Sequence, residues 1–424
     1  MSILLIIVLA IFIFLHIKGY SFNFRTITAL VTGLVIGTLY NLLNFDSNVF
    51  TQLTQIIADG YVSLLKVLII PLVFTSIVHS IINLRNYKSS YIVKVAYKTI
   101  AILLTMTGIS AFIGSVVAIL MNTGSNIDLS SITGNISNPK SSSFADTILG
   151  FIPDNIIANM TSNNVMAIVI FSILIGFAVL RAHKENAKLS QSFIEFINSL
   201  FFVVKKLANI IIAITPYGVL ALMIKMTVAQ DKESVLAVIY FILTVYIALA
   251  IVLAMHITLL LIFGTNLKKF YRNTWNALLV AATSRSSMGT LPITINSLGK
   301  YGISDTVATF TPTMATTMGM NGCAGVFPAV LAVMAMHITG VDITFSSILM
   351  ISVICMFASL GVSGIPGTAF VAAGVVFSYF GLPWELIALI IGVDAIVDTL
   401  RTPTNIHGAM TTAVIVDKTT SPTS

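Results

Sequence analysis

The chain has 424 residues, 57% of them hydrophobic and only 9% charged, with a formal net charge of +7 and a mean hydropathy of +1.00. That composition excludes a soluble globular protein and describes a polytopic, all-α membrane protein. It holds no P-loop pattern for ATP hydrolysis, no HExxH or GxSxG motif and no zinc-type Cys/His spacing, so neither an enzyme, a cofactor nor a metal centre is expected.

A helix needs about 20 apolar residues to cross the hydrocarbon core. About nine such segments recur along the chain, two of them interrupted hairpins. Residues 3–17 have the length of a signal peptide but no basic residue before them and no A-x-A site after them. With Lys18 and Arg25 following, an uncleaved span with its N-terminus outside is expected, and a cleaved signal is the alternative. A second span follows near 26–44. The next, 56–83, contains Lys66 and Pro71, and then comes 92–121. The polar stretch 122–145, rich in Ser, Asn and Gly, reads as a flexible external loop. The sequon at Asn135 within it reads as coincidence in a bacterial-looking chain. Spans near 164–182, 197–228 and 233–263 follow, the second broken at Pro216-Tyr217-Gly218.

Basic residues cluster at Arg25, Arg85, Lys88, Lys94, Lys98, Arg181, Lys184, Lys188, Lys268, Lys269 and Arg272, in loops that alternate with poor ones at 44–54, 122–145 and 229–234. The rich loops are expected on the cytoplasmic side. The basic balance thus describes topology, and without a basic stripe carrying stacking aromatics no nucleic-acid partner is expected.

Two later segments, 276–299 and 348–380, each have short apolar arms around a tip of small residues: Ser286, Ser287 and Gly289 in one, Gly361, Ser363, Gly364, Pro366 and Gly367 in the other. Non-helical backbone at membrane depth is tolerated only where it is buried in protein or lines a cavity, so these read as re-entrant hairpins beside a transport site. Two ordinary spans with glycine packing is the alternative. Between them, residues 304–337 carry Gly319, Gly322 and Gly325, which fit either an unwound stretch exposing carbonyls to a cation or close small-residue packing. The two cysteines, Cys323 and Cys355, lie in apolar stretches and read as small packing residues without a disulfide.

Last comes IIGVDAIVDTLRTPTNIHG, with Asp394, Asp398, Arg401 and Asn405. At about 100° per residue these four fall on one narrow helical face. Ionisable groups at bilayer depth are costly and usually face a site. Two acids beside one guanidinium suit a ligand that is both cationic and anionic. An internal Asp398–Arg401 pair that merely fixes packing is the alternative.

The ordered motifs SRSSMGTLP, MNGCAG, GIPGTA and DAIVDTLRTPTN, with PLVF at Pro71 and TPYGVLAL at Pro216, resemble the dicarboxylate/amino acid:cation symporter (sodium:dicarboxylate symporter) family over about residues 25–418. Within it the chain is most similar to bacterial members that take up L-cystine. The resemblance implies a homotrimer in the bacterial cytoplasmic membrane, each subunit with a scaffold and a mobile transport domain: 1–24 an extra N-terminal span, 25–90 scaffold, 91–145 a transport-domain helix and external loop, 146–232 scaffold, 233–418 transport domain with both hairpins, 419–424 a polar tail. It implies that Asp398 holds the substrate ammonium, that Arg401 holds the side-chain carboxylate, and that Ser287, Val362 and Gly364 take the α-carboxylate through the backbone, with Ser286, Cys323 and Asn405 completing the substrate site.

The chain departs from the family at cation-binding positions. Gly319-Met320-Asn321-Gly322 stands where sodium-coupled members have NMDG, Ala409 replaces an aspartate, and Leu103, Met106 and Thr107 replace Tyr and Thr-Ser. Neutral oxygens alone hold a hard cation poorly. Gly319, Asn321, Asp394, Asn405 and His407 are therefore candidates for a cation step that uses protons or fewer sodium ions, and no metal ligand set is assigned. His407 is equally readable as a helix-end residue at the cytoplasmic interface. The expected function is cation-coupled import of L-cystine by alternating access, with Cys323 and Ala409 leaving room for the longer ligand. An acidic amino acid or C4-dicarboxylate symporter is the alternative, and an uncoupled channel or receptor is the reading from another class.

Overall fold

The computed structural model describes residues 2–43, 45, 47–86, 90–125, 149, 152–162, 164–228, 232–361 and 369–420. The expectations for the 122–145 loop beyond residue 125, for the sequon and for Val362, Gly364, Pro366 and Gly367 lie outside them. Among the described residues all regular structure is helical. The elements are α1 Ser2–Ile17, α2 Phe22–Leu42, α3 Asn48–Ile82, α4 Ser90–Leu120, α5 Ile156–Thr161, α6 Val165–Glu185, α7 Ala187–Ala213, α8 Thr215–Val228, α9 Lys232–Ile262, α10 Leu267–Ser284, α11 Ser287–Tyr301, α12 Asp305–Ala315, a π-helical turn Asn321–Val326, α13 Phe327–Thr339, α14 Phe345–Ala358, α15 Ala369–Phe380, α16 Glu385–Ile391 and α17 Asp394–Thr420.

Six helical stretches among the described residues are long and apolar enough to cross a membrane: Asn48–Ile82, Tyr91–Leu120, Val165–Glu185, Ala187–Ala213, Leu236–Ile262 and Asn321–Thr339. The count is below nine for physical reasons. Helix α1 has 16 residues and each hairpin arm 18 or fewer, short of the length a span requires. Helix α17 has 27 residues, but its acids, arginine and threonines make it too polar to qualify. The helix a hydropathy scan passes over is the one that carries the ionisable groups.

Capping residues set the boundaries and move several expected ones. Asn186 accepts the Leu189 N–H at 3.0 Å and starts α7 at Ala187, ahead of the expected 197. Asn266 accepts the Lys269 N–H at 3.0 Å, so Lys268, Lys269 and Arg272 belong to the first turns of α10 and not to a loop. The break at Ile214 between α7 and α8 falls beside Pro216. The final segment is not one continuous helix: it breaks at Gly392 and Val393, and Asp394 opens α17. A carboxylate in a first turn meets the positive end of the helix dipole.

Helices α2 and α3 pack with α6, α7 and α8, whereas α4, α9, α12, α13 and α14 pack around the π-helical turn and α17. The two hairpin arms α10 and α11 lie against each other and against α17. Apolar side chains left outside, such as Ile3, Ile6 and Phe14 of α1 and Phe196, Phe202 and Ile210 of α7, form the surface expected to face hydrocarbon.

Candidate substrate and cation site

The site is built where α17 crosses the broken helix α12–π–α13. Helix α12 stops at Ala315, and Gly319 adopts φ +72°, a conformation glycine reaches without the Cβ penalty of other residues. The chain re-enters helix as a π-turn over Asn321–Val326, all of it buried. π-turns are rare and concentrate at functional sites. Gly322 is required by contact: a Cβ there would lie 2.7 Å from the Arg401 carbonyl oxygen and 3.0 Å from its Cα. Gly322→Ala is therefore expected to push the π-turn off α17, at a cost of about 1–3 kcal/mol of stability. The loss should read out as a lower melting temperature together with weaker substrate binding, and an unchanged melting curve would show that this contact yields freely.

Asn405 joins the two elements. Its Oδ1 accepts the N–H groups of Gly322 at 2.8 Å and Cys323 at 3.3 Å, and its Nδ2 donates to Cys323 Sγ at 3.0 Å. The amide of Asn405 thus satisfies backbone N–H groups that helix unwinding leaves without partners, which makes it a positioning residue in this state. Cys323 also points its thiol at Asp398 Oδ1, 3.8 Å away. It is buried, as expected of a packing residue, and it is also part of the polar site.

Arg401 is the centre of the charged group. Its Nη2 lies 2.5 Å from Asp394 Oδ1 and 3.1 Å from Asp398 Oδ1, and its side chain is 1% exposed. The guanidinium also stands 4.2 Å over the Phe327 ring, a cation–π contact that carries more weight when desolvated. Nε and Nη1 have no hydrogen-bond partner among the described residues. Asp398 additionally accepts from Thr402 Oγ1 at 3.0 Å. The Asp398–Arg401 pair is therefore present, but two carboxylates share one guanidinium, and two of its nitrogens are left over.

The first hairpin turns at Arg285 and Ser286. Ser286 caps α11 by accepting the Gly289 N–H at 3.0 Å, and Ser287 is the buried first residue of that helix. Val362 and Gly364 of the second tip fall outside the described residues. Of that hairpin, the Gly361 carbonyl accepts from Ser76 Oγ on α3 at 3.1 Å.

The cation candidates divide. Gly319 packs against Leu103, where a Cβ would lie 2.5 Å from that of Leu103. Asn321 is fully buried with neither amide atom hydrogen-bonded among the described residues. His407 is not at a helix end: it is 1% exposed in the middle of α17, 2.9 Å from the Tyr271 hydroxyl through Nε2 and 3.4 Å from Thr411 Oγ1 through Nδ1. The reason is that α17 continues for more than three turns past it, to Thr420. Its ring lies parallel to that of His256, with centroids 5.4 Å apart, and neither nitrogen of His256 has a partner among the described residues. His256 could not be singled out in sequence, because a lone histidine in an apolar helix has no motif around it. Arg285 had a signal, since it sits inside SRSSMG.

Comparison with known proteins places this geometry. The profile of the sodium:dicarboxylate symporter family matches residues 22–419. The chain is 34% identical over 384 residues to an uncharacterised symporter of Haemophilus influenzae, covering 86% of each. It is 29% identical over 435 residues to the L-cystine uptake protein TcyP of Bacillus cereus, covering 98% of this chain and 93% of that one. To TcyP of Bacillus licheniformis it is 28% identical over 421 residues, covering 95% and 91%. With the family's profile running from α2 to the last turn of α17, this multi-pass membrane protein belongs to the sodium:dicarboxylate symporter family.

Proposed function

We propose that the chain imports L-cystine across the bacterial cytoplasmic membrane by cation-coupled alternating access. The observation that carries this reading is the buried Asp394–Arg401–Asp398 group beside Cys323: two anions and a cation in one site match a substrate with two zwitterionic ends. The name of the TcyP relatives supports the same substrate. Asp398 takes the near ammonium, Ser287 and the second hairpin tip take the near α-carboxylate through backbone N–H groups, and Arg401 takes the distal carboxylate. A C4-dicarboxylate or acidic amino acid is the second reading, favoured by the two Arg401 nitrogens that have no partner among the described residues.

In this proposal residues 25–90 and 146–232 form the scaffold of a homotrimer, and 91–145 with 233–418 the part that moves. Coupling is to protons, or to fewer sodium ions than the family's usual number. Two observations support it. Leu103 fills the space beside Gly319, and the Thr412 hydroxyl donates to the sulfur of Met106, so apolar and sulfur atoms stand where oxygen ligands would be needed for a hard cation. His407 retains hydroxyl partners on both ring nitrogens, which can accept or donate as its protonation changes.

The test is uptake of radiolabelled L-cystine, glutamate and dicarboxylates into proteoliposomes under separate sodium and proton gradients. Concentrative cystine uptake, driven by an acid exterior and collapsed by a protonophore, is expected. His407→Gln should blunt the response to the pH gradient. Strictly sodium-dependent uptake indifferent to pH would defeat proton coupling, uptake of dicarboxylates in preference to cystine would establish the second reading, and flux that never exceeds equilibrium would make the protein a channel.

A further inference from the structure

A cleft opens beside the charged group, between the first hairpin tip, α17 and the helices α2, α3 and α8. Its polar lining consists of Arg285, Asp394, Tyr61, Thr215 and Thr26, with Phe22 alongside. Arg285 is 4% exposed and its guanidinium stands 5.8 Å over the Phe22 ring. Its backbone is left-handed, with φ 52°, an unusual conformation for a residue with a Cβ and one that concentrates at functional sites. Thr215 Oγ1 donates to the Ile212 carbonyl at 2.6 Å and accepts from the Tyr61 hydroxyl at 2.8 Å, leaving hydroxyl lone pairs as acceptors at the cleft.

Two acids and two guanidinium groups therefore gather here: Arg401 bonds both Asp394 and Asp398, and Arg285 lines the same cleft as Asp394. The two acids are separated by four residues on one helix, which sets them about 6 Å apart along its axis. An unstrained disulfide holds its two flanking α-carbons about 5.5–6 Å apart, and in cystine each of those carbons bears an ammonium group.

We propose that Arg285 and Asp394 join Arg401 in holding the second end of a two-headed amino acid: Asp394 takes its ammonium, and Arg285 shares its carboxylate with Arg401. The proposal rests on the reading that the substrate is cystine. It makes Arg285 a specificity-determining residue, because a one-headed amino acid fills the Asp398 end and brings no distal carboxylate to Arg285. It also gives the cleft its place. With the second head bound there, the substrate touches both the first hairpin tip and the Tyr61–Thr215 pair of the neighbouring helices.

The experiment measures binding to the purified full chain by calorimetry, with four ligands: L-cystine, S-methyl-L-cysteine, the mixed disulfide of cysteine with cysteamine, which lacks the distal carboxylate, and that of cysteine with 3-mercaptopropionate, which lacks the distal ammonium. On the unaltered protein, loss of either distal group should weaken binding by at least about tenfold. Arg285→Gln should weaken cystine and the mercaptopropionate disulfide by at least about tenfold, and the cysteamine disulfide and S-methyl-L-cysteine by less than about twofold. Equal losses for all four ligands, or unaltered protein that binds cystine no better than S-methyl-L-cysteine, would overturn the proposal. If Arg285→Gln does not fold, the series on the unaltered protein decides alone. Protein that binds no cystine at all overturns the substrate reading as well. Cystine binding that Asp398→Asn abolishes but that ignores Arg285 and the distal groups overturns this inference only.

Discussion

Asp398→Asn should abolish L-cystine binding while leaving the fold intact. The amide is nearly isosteric, and its oxygen can still accept from Thr402 Oγ1, now at 3.0 Å. Arg401 keeps a carboxylate in Asp394, 2.5 Å from Nη2, so no buried guanidinium is stranded. What disappears is the negative charge facing the ligand's ammonium. Removing one member of a desolvated charge pair costs about 2–5 kcal/mol, which is roughly 30-fold to several-thousand-fold in affinity. Calorimetric titration of the purified variant, beside its melting curve, checks both halves of the statement. Native affinity in a natively stable variant would return Asp398 to the role of a packing ion pair.

Arg401→Ala should change selectivity more than it changes general competence. In the structure Arg401 bonds two acids and stacks on Phe327, yet keeps two nitrogens unused among the described residues. When cystine binds, its near ammonium competes for Asp398, and the guanidinium is freed for a bidentate pair with the distal carboxylate. The alanine variant loses that pair, so cystine should lose about 2–5 kcal/mol. A neutral amino acid without a second carboxylate loses much less, and the ratio of the two affinities should move by at least about tenfold. An equal loss for both ligands would mean that Arg401 organises the site without reading the substrate, and the case for a two-headed ligand would go with it. Because the substitution leaves Asp394 and Asp398 facing each other without a cation, Arg401→Lys is the companion variant: it restores the charge without the fork.

Much of this architecture was legible before any coordinates. The spacing of Asp394, Asp398, Arg401 and Asn405 required one helical face, and the four do share helix α17. The glycines at 319, 322 and 325 marked a break, and the chain leaves helix after Ala315 and resumes as a π-turn at Asn321. What sequence could not supply was depth along the chain and company across it. The segment around Asp394 looked continuous, because neither Gly392 nor Val393 forbids helix, and only packing breaks it. His407 could be read either as a proton carrier or as a helix end, whereas the helix runs on through Gly408–Val416, which stay buried against their neighbours. His256, an isolated polar residue in an apolar span, is distinguished only by lying parallel to His407. Arg285 is a partner of α17 by tertiary folding alone, since more than a hundred residues separate it from Asp394.

The fit between Leu103 and Gly319 also governs how this protein can evolve. Neither position can change first: a larger residue at 319 collides with Leu103, and its backbone angle of +72° penalises any side chain. Shrinking Leu103 alone would open a void in the packed interior. An acidic residue at 321 alone would bury a carboxylate where the asparagine amide has no hydrogen-bond partner among the described residues. Each of these single substitutions therefore costs stability on its own, so the residues at 103, 319 and 321 hold one another in place by epistasis.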